Sequence, residues 1–269
     1  MEETAADETD NDKNIRMMNK KKPVILITND DGYQSDGIAK LSEVARQYGK
    51  VVIVAPDCQQ SGKSCAITHG IPLKMTLVSE SEEMTVYSCN GTPVDCVKLS
   101  LYTIFRENRP DLVISGINHG SNSSVNAVYS GTIGAAVEGC VNNISSIAFS
   151  SVQFAEKLDL EHALPIISQI ISDVLNTPLP LGTLLNVNFP EGEVKEIRFC
   201  REANARWSEE YMPYETDSYL LAGEFNNREP EAEDTDEWAL SHHMASVVPM
   251  LVDRTDYNYL NKLKYKYGK

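Results

Sequence analysis

Two carboxylates stand side by side in Asn29-Asp30-Asp31-Gly32, directly after the apolar run Val24–Thr28. Adjacent ionised carboxylates repel each other, and keeping both charged beside a low-dielectric strand end is unfavourable unless a cation compensates. A lone aspartate at such a place reads as a helix cap or an Asx-turn. A pair does not, because neighbouring side chains leave a strand in different directions and at most one of them caps well. Hard oxygen ligands suit Mg2+ or Mn2+. Asp30 and Asp31 are therefore candidate metal ligands and the candidate catalytic pair.

Other polar stretches offer partners for them. Ser61 and Gly62 lie in QQSGKS. The letters GKS suggest a P-loop, but that motif needs a glycine five positions before Gly62, and Asp57 stands there. What remains is a loop of small residues that can present N–H groups and a hydroxyl to phosphate or metal. In SGINHGSN, Asn118 occupies the second glycine position of a G-x-G-x-x-G dinucleotide fingerprint, which disfavours a nicotinamide dehydrogenase. Asn118 can offer a neutral oxygen to a metal. His119 reads as an acid–base group or as a plain loop histidine. Ser130-Gly131-Thr132 reads both as a helix N-cap and as a set of free N–H groups for phosphate. Asn29 and Gly62 complete the candidate phosphate contacts. His242-His243 has no H-E-x-x-H context, and adjacent histidines on a strand face opposite sides, so the pair reads as structural or interfacial.

The elements that position these groups alternate. Val24–Thr28 is continuous and apolar, as a parallel strand covered on both faces must be. Residues 36–48 carry Ile38, Leu41, Val44, Ala45 and Tyr48 at helical spacing, with Gly49 as the stop. VVIVAP at 51–56 is a second buried strand. Thr92 and Pro93 open a helix with Asp95 in its first turn. DLVIS at 111–115, IAFS at 147–150 and LLNVNF at 184–189 read as strands, and helices are expected over about 132–140 and 161–175. This alternation predicts an α/β fold, a Rossmann-like doubly wound and mainly parallel sheet. In such sheets ligands bind beyond the carboxyl ends of the strands, where the polar stretches above fall.

The 269 residues fit a main domain over 23–190, a smaller α+β arm with hairpins over 191–269, and a disordered N-terminal extension over 1–22. A formal net charge of −15 disfavours a nucleic-acid polymer or an anionic membrane as partner. No run approaches the roughly 20 apolar residues that cross a bilayer. The six cysteines form no C-x-x-C pair, which predicts reduced thiols in a cytoplasmic protein.

The blocks ILITNDDGYQSDGI, VVIVAPDCQQSGKSCAIT, NGTPVDCVKLSL, PDLVISGINHGSN and YSGTIGAAVEG resemble, in order, those of the SurE family of stationary-phase survival nucleotidases. TDEWALSHHMASVVPML resembles the family's closing segment more loosely. The resemblance implies a metal-dependent phosphatase acting on nucleoside 5′- and 3′-monophosphates. It also implies a C-terminal part exchanged between subunits of a homodimer or homotetramer. The positions that match the family's metal ligands are Asp30, Asp31, Ser61 and Asn118. Departures lie in YETDSYLLAGEF, at Val248 where Thr is common, and at His243 where Gly is common. They touch base preference and oligomer geometry more than the metal site. A phosphatase of the haloacid-dehalogenase type would need D-x-D, and Gly32 stands two residues after Asp30. The reading from another class, a binding module without catalysis, finds no ligand missing from the set to support it.

Overall fold

The computed structural model describes residues 22–155 and 157–268, so nearly all of the expected 1–22 extension lies outside the described residues. Strand β1 (Val24–Thr28) lies near the middle of a nine-stranded sheet. Ile25, Leu26 and Ile27 are fully buried, as a continuous apolar run with both faces covered requires. β1 pairs in parallel with β2 (Lys50–Pro56) on one side and with β5 (Leu112–His119) on the other. Beyond β2 come β4 (Met84–Cys89), parallel, and β3 (Met75–Glu80), antiparallel at the edge. Beyond β5 come β6 (Ser146–Ser151) and β7 (Thr183–Phe189), both parallel.

Successive residues of β1 serve opposite layers. Ile25 and Ile27 pack with Ile38, Leu41 and Val44 of helix α1 (Asp36–Ala45) and with Ile167 and Ile171 of α4 (Leu164–Asn176). Leu26 packs with Cys96, Val97 and Leu101 of α2 (Pro93–Thr103) and with Ala135 of α3 (Gly131–Val141). The expected doubly wound α/β sheet is the observed one. Helix α1 stops at Ala45, short of the expected Tyr48. Helix α4 starts at Leu164, three residues after the expected Glu161, with Pro165 in the first turn where its missing N–H costs no hydrogen bond.

Past residue 190 the chain forms one long antiparallel hairpin in two stretches that share a register. β9 (Ala205–Ser208) pairs with β12 (Glu224–Asn227), and β10 (Tyr211–Glu215) pairs with β11 (Ser218–Leu221). The same region also returns to the main sheet. Beyond helix α5 (Asp236–Ser241), strand β13 (Ala245–Leu251) lies antiparallel to β7, and β8 (Ile197–Phe199) flanks it. The compositional change at 190 therefore does not divide the sheet. The chain ends in α6 (Tyr257–Tyr267), none of whose residues is buried. Among the described residues no helix is long and apolar enough to cross a membrane.

Candidate active site

The strand order reverses direction between β1 and β5, and the loops after β1, β2 and β5 meet at this switch point. Asn29 closes the first loop. Its amide donates to the Gly32 carbonyl at 2.9 Å and to Ser35 Oγ at 2.7 Å, and its Oδ1 accepts the Gly32 N–H at 3.1 Å. The sequence offers Asn29 as a phosphate contact. The structure places it otherwise: its side chain is fully buried and both amide N–H groups are engaged in the turn. What it does is fix the chain on either side of Asp30 and Asp31.

Asp30 is 4% exposed and faces the start of α3. Its Oδ1 accepts from the Thr132 hydroxyl, and the Gly131 N–H also donates to it. A Cβ on residue 131 would lie 3.0 Å from Asp30 Cβ and Oδ2, so glycine is what allows this approach. Burial pushes the Asp30 carboxyl up to about 6; the Thr132 hydroxyl opposes that rise and the charge of Asp31 adds to it. Asp31 is half-buried and faces β5, accepting the His119 N–H at 3.3 Å. Burial also raises its carboxyl, against the nearby His119 ring and N–H.

The loop after β2 is drawn over the pair. The Gln60 N–H donates to the Asp30 carbonyl at 2.7 Å, and the Ser64 N–H to the Tyr129 carbonyl at 3.0 Å. Ser61 and Gly62 lie exposed between these ties, and Gln59 donates to Ser61 Oγ at 3.0 Å. Asn118 sits at the end of β5, not in a loop, and its amide donates to the Gly120 carbonyl at 2.7 Å. Ser130 is the N-cap of α3, its Oγ accepting the Ile133 N–H at 3.1 Å. Thr132 is fully buried on Asp30. The hydroxyls of Ser130 and Thr132 are thus committed to the helix start and to Asp30. Any phosphate contact from this segment comes from its backbone.

Sequence reasoning passed over the support beneath the site. Asn188 Oδ1 accepts the Asn122 N–H at 2.8 Å, and the Asn122 amide donates to Ser150 Oγ at 2.7 Å. Buried Asp236 accepts the N–H groups of Ser124 at 2.7 Å and Ala203 at 2.9 Å. Together they hold the segment that follows Asn118. The signal was available in LLNVNF, where two asparagines interrupt an otherwise apolar buried strand. The glutamines at 59 and 60 gave no such signal.

The donor set can be tested for the expected cation. Among the described residues no lysine or arginine pairs with Asp30 or Asp31. Among the described residues no group of three or more His, Cys, Asp or Glu side chains stands ready to hold a metal there. A closed sulfur–nitrogen cage of the structural zinc type is therefore not formed. Two desolvated carboxylates, with Ser61 and Asn118 each next in the chain to a residue tied to the pair, fit a hard divalent cation that keeps water in its shell.

Fold and site together define a doubly wound α/β protein with an adjacent carboxylate pair at its switch point, beside a helix N-terminus. The family model described as Survival protein SurE matches residues 25–209, and the chain belongs to the SurE family. It is 48% identical over 252 residues to the 5′-nucleotidase SurE of Phocaeicola vulgatus, covering 92% of this chain and 98% of that one. It is 46% identical over 255 residues to the 5′-nucleotidase SurE of Christiangramia forsetii, covering 91% and 97%. Among solved structures, the SurE protein from Aquifex aeolicus superposes with a TM-score of 0.78 at 36% identity, covering 91% of this chain and all of that one.

Proposed function

We propose that this chain is a metal-dependent 5′-nucleotidase, hydrolysing nucleoside monophosphates to nucleoside and phosphate. One observation carries the reading. Buried Asp30 and half-buried Asp31 have no lysine or arginine partner among the described residues, and Asp30 lies against the N-terminus of α3. An anion-attracting helix end beside a cation-attracting carboxylate pair suits a phosphate held between them. The names of the relatives supply the nucleotide.

Asp30, Asp31, Ser61 and Asn118 would hold Mg2+ or Mn2+. When bound, the ion supplies charge neutralisation for the phosphoryl oxygens and a water of lowered pKa. The chain's own part is positioning, which dominates phosphoryl transfer. Thr132 and Gly131 orient the Asp30 carboxylate, and the His119 N–H orients that of Asp31. Gln59 holds the Ser61 hydroxyl, and the start of α3 together with Gly62 offers N–H groups to phosphate oxygens. Activity on 3′-monophosphates belongs to the same proposal.

The homodimer or homotetramer reading is supported by apolar surface that a monomer leaves open. Tyr257, Tyr259 and Tyr265 of α6 and Tyr211, Tyr214 and Leu221 of the β10–β11 hairpin are all exposed. A cytoplasmic location is supported by six cysteines, all unpaired. The test is phosphate release from adenosine 5′-monophosphate by the purified protein with Mn2+ or Mg2+, and again with excess EDTA. Turnover that appears with metal and vanishes on chelation is expected. No phosphate release from any nucleoside monophosphate with either metal would overturn the proposal.

A further inference from the structure

Phe154 is 87% exposed. A single exposed apolar side chain carries no message by itself; this one is distinguished by where it is and how it is held. β6 pairs with β5 so that Ser150 opposes Asn118 and Ser151 opposes His119. Phe154 follows three residues later, at the carboxyl edge where the site lies. A Cβ on Gly120 would lie 2.4 to 3.1 Å from three atoms of the Phe154 ring, so the tip of the ring rests on the Gly120 backbone. Gly120 in turn accepts from the Asn118 amide at 2.7 Å and donates to the Ser151 carbonyl at 2.9 Å. Ring, glycine and candidate metal ligand form one line of contacts. With consecutive Cα atoms about 3.8 Å apart, Gly120 lies within about 8 Å of Asn118.

The segment that carries the ring is tied down. The Gln153 side chain donates to the Asp159 carbonyl at 2.8 Å and accepts the Asp159 N–H at 3.0 Å. The Gln153 N–H donates to Ser151 Oγ at 3.2 Å, and the Leu158 N–H to Asp36 Oδ2 at 2.9 Å. Leu158 and Leu160 are each 2% exposed and belong to the main core. The aromatic ring therefore rests by its tip on Gly120, and the chain before it is held through Gln153, while most of its surface stays in solvent. Such a surface gains from stacking on another flat ring.

Building on the nucleotidase reading above, we propose that Phe154 is the nucleobase platform of this site. The phosphate lies at the switch point, the ribose spans the strand end, and the base stacks on the Phe154 ring. Phenylalanine offers no hydrogen bond to a base edge, so it selects by stacking area: all bases are accepted and purines bind more tightly than pyrimidines.

The test compares wild type, Phe154→Ala and Phe154→Tyr on adenosine 5′-monophosphate and on ribose 5-phosphate, with Mn2+ present. Phe154→Ala is expected to raise KM for the nucleotide about tenfold, the size of a single base–aromatic stack, with kcat within about twofold. Ribose 5-phosphate, which has no base, keeps its KM, and Phe154→Tyr restores the wild-type KM for the nucleotide. An unchanged nucleotide KM in Phe154→Ala overturns the proposal. An equal rise for both substrates also overturns it, because the ring then acts only by propping Gly120 and Asn118. Either result leaves wild-type nucleotidase activity standing, whereas a wild type that hydrolyses neither substrate sinks both readings.

Discussion

Without a cation, Asp30 works against the fold, and Asp30→Asn exposes this. The residue is 4% exposed, and burial lifts its carboxyl from the ordinary 3.8 to about 6. The folded state then holds the Asp30 proton more tightly than the unfolded state does between about pH 4 and 6. Stability contributed by this group is present at low pH and is lost as pH rises through about 6. At about 1.36 kcal/mol per pH unit, the charged group costs the metal-free fold about 3 kcal/mol at pH 7.5. The asparagine of the variant would still accept the Thr132 hydroxyl through its oxygen. Its NH2 group can be turned toward the Gly131 N–H, offsetting about 1 kcal/mol of the gain.

The variant is therefore expected to be more stable than wild type by about 1–3 kcal/mol in EDTA at pH 7.5. At roughly 2–4 °C per kcal/mol, that is a rise in Tm of several degrees. The difference should shrink at pH 5, where wild-type Asp30 is largely protonated. Millimolar Mn2+ should reverse the order by stabilising wild type and leaving the variant nearly unmoved. Turnover of a nucleoside monophosphate should fall by at least about 10²-fold in the variant. Melting curves with and without metal at the two pH values, together with steady-state rates, measure all of this. A variant less stable than wild type in EDTA at pH 7.5, or one that Mn2+ stabilises as much as wild type, refutes the reasoning.

Thr132→Val removes the hydroxyl that donates to Asp30 while keeping its shape, and should cost about 10- to 100-fold in kcat/KM. Thr132→Ser should recover most of the loss; equal loss in both variants would mean that shape, not the hydrogen bond, matters. Gly131→Ala puts a methyl 3.0 Å from Asp30 Cβ and Oδ2 and should lower kcat about tenfold while leaving the Tm within a few degrees, as rates and melting curves would report. Of six free thiols, only those of Cys58 and Cys65 are exposed, so a thiol-reactive chromogenic disulfide should label two groups in the native protein and six in denaturant. Burial holds the Cys200 thiol at about 11, which keeps it unreactive even where a reagent reaches it. A native count of four or more would contradict the packing of Cys89, Cys96, Cys140 and Cys200.

Legibility in the sequence followed the strength of the local signal. β1 and β2 are unbroken apolar runs and could be read directly. β5 looked complete at Ser115 because Gly116 interrupts the run; in fact its pairing with β6 resumes at Asn118 after an irregularity, which carries that residue from the expected loop onto a strand end. β3 was invisible because it is a mostly exposed edge strand with no apolar face to leave a period. β13 contains Pro249, which argues against an interior strand. The structure accommodates it because β8 ends opposite Val247, so the proline breaks no ladder on that side. The metal candidates were legible because they are chemically unusual where they stand. Gln59, Gln60 and Phe154 were not, because each is ordinary until the fold sets it beside Ser61, Asp30 or Gly120.

The adjacency of Asp30 and Asp31 follows from the topology. The site lies at the switch point, with helix α3 to one side of the β1 carboxyl end and the end of β5 to the other. A single turn leaving β1 can serve both sides only if consecutive side chains diverge, as they do on leaving a strand. Asp30 takes the helix side, held by Thr132 and Gly131, and Asp31 takes the β5 side, held by the His119 N–H. A residue inserted between the two would return both carboxylates to the same side and leave one of these anchors without its acceptor. On this reasoning the two are not interchangeable. Asp31→Asn should weaken metal binding with a smaller gain in metal-free stability than Asp30→Asn, because Asp31 is only half-buried. Parallel melting curves of the two variants in EDTA measure that ordering, and a larger gain for Asp31→Asn would show that repulsion within the pair, not burial of Asp30, dominates the site.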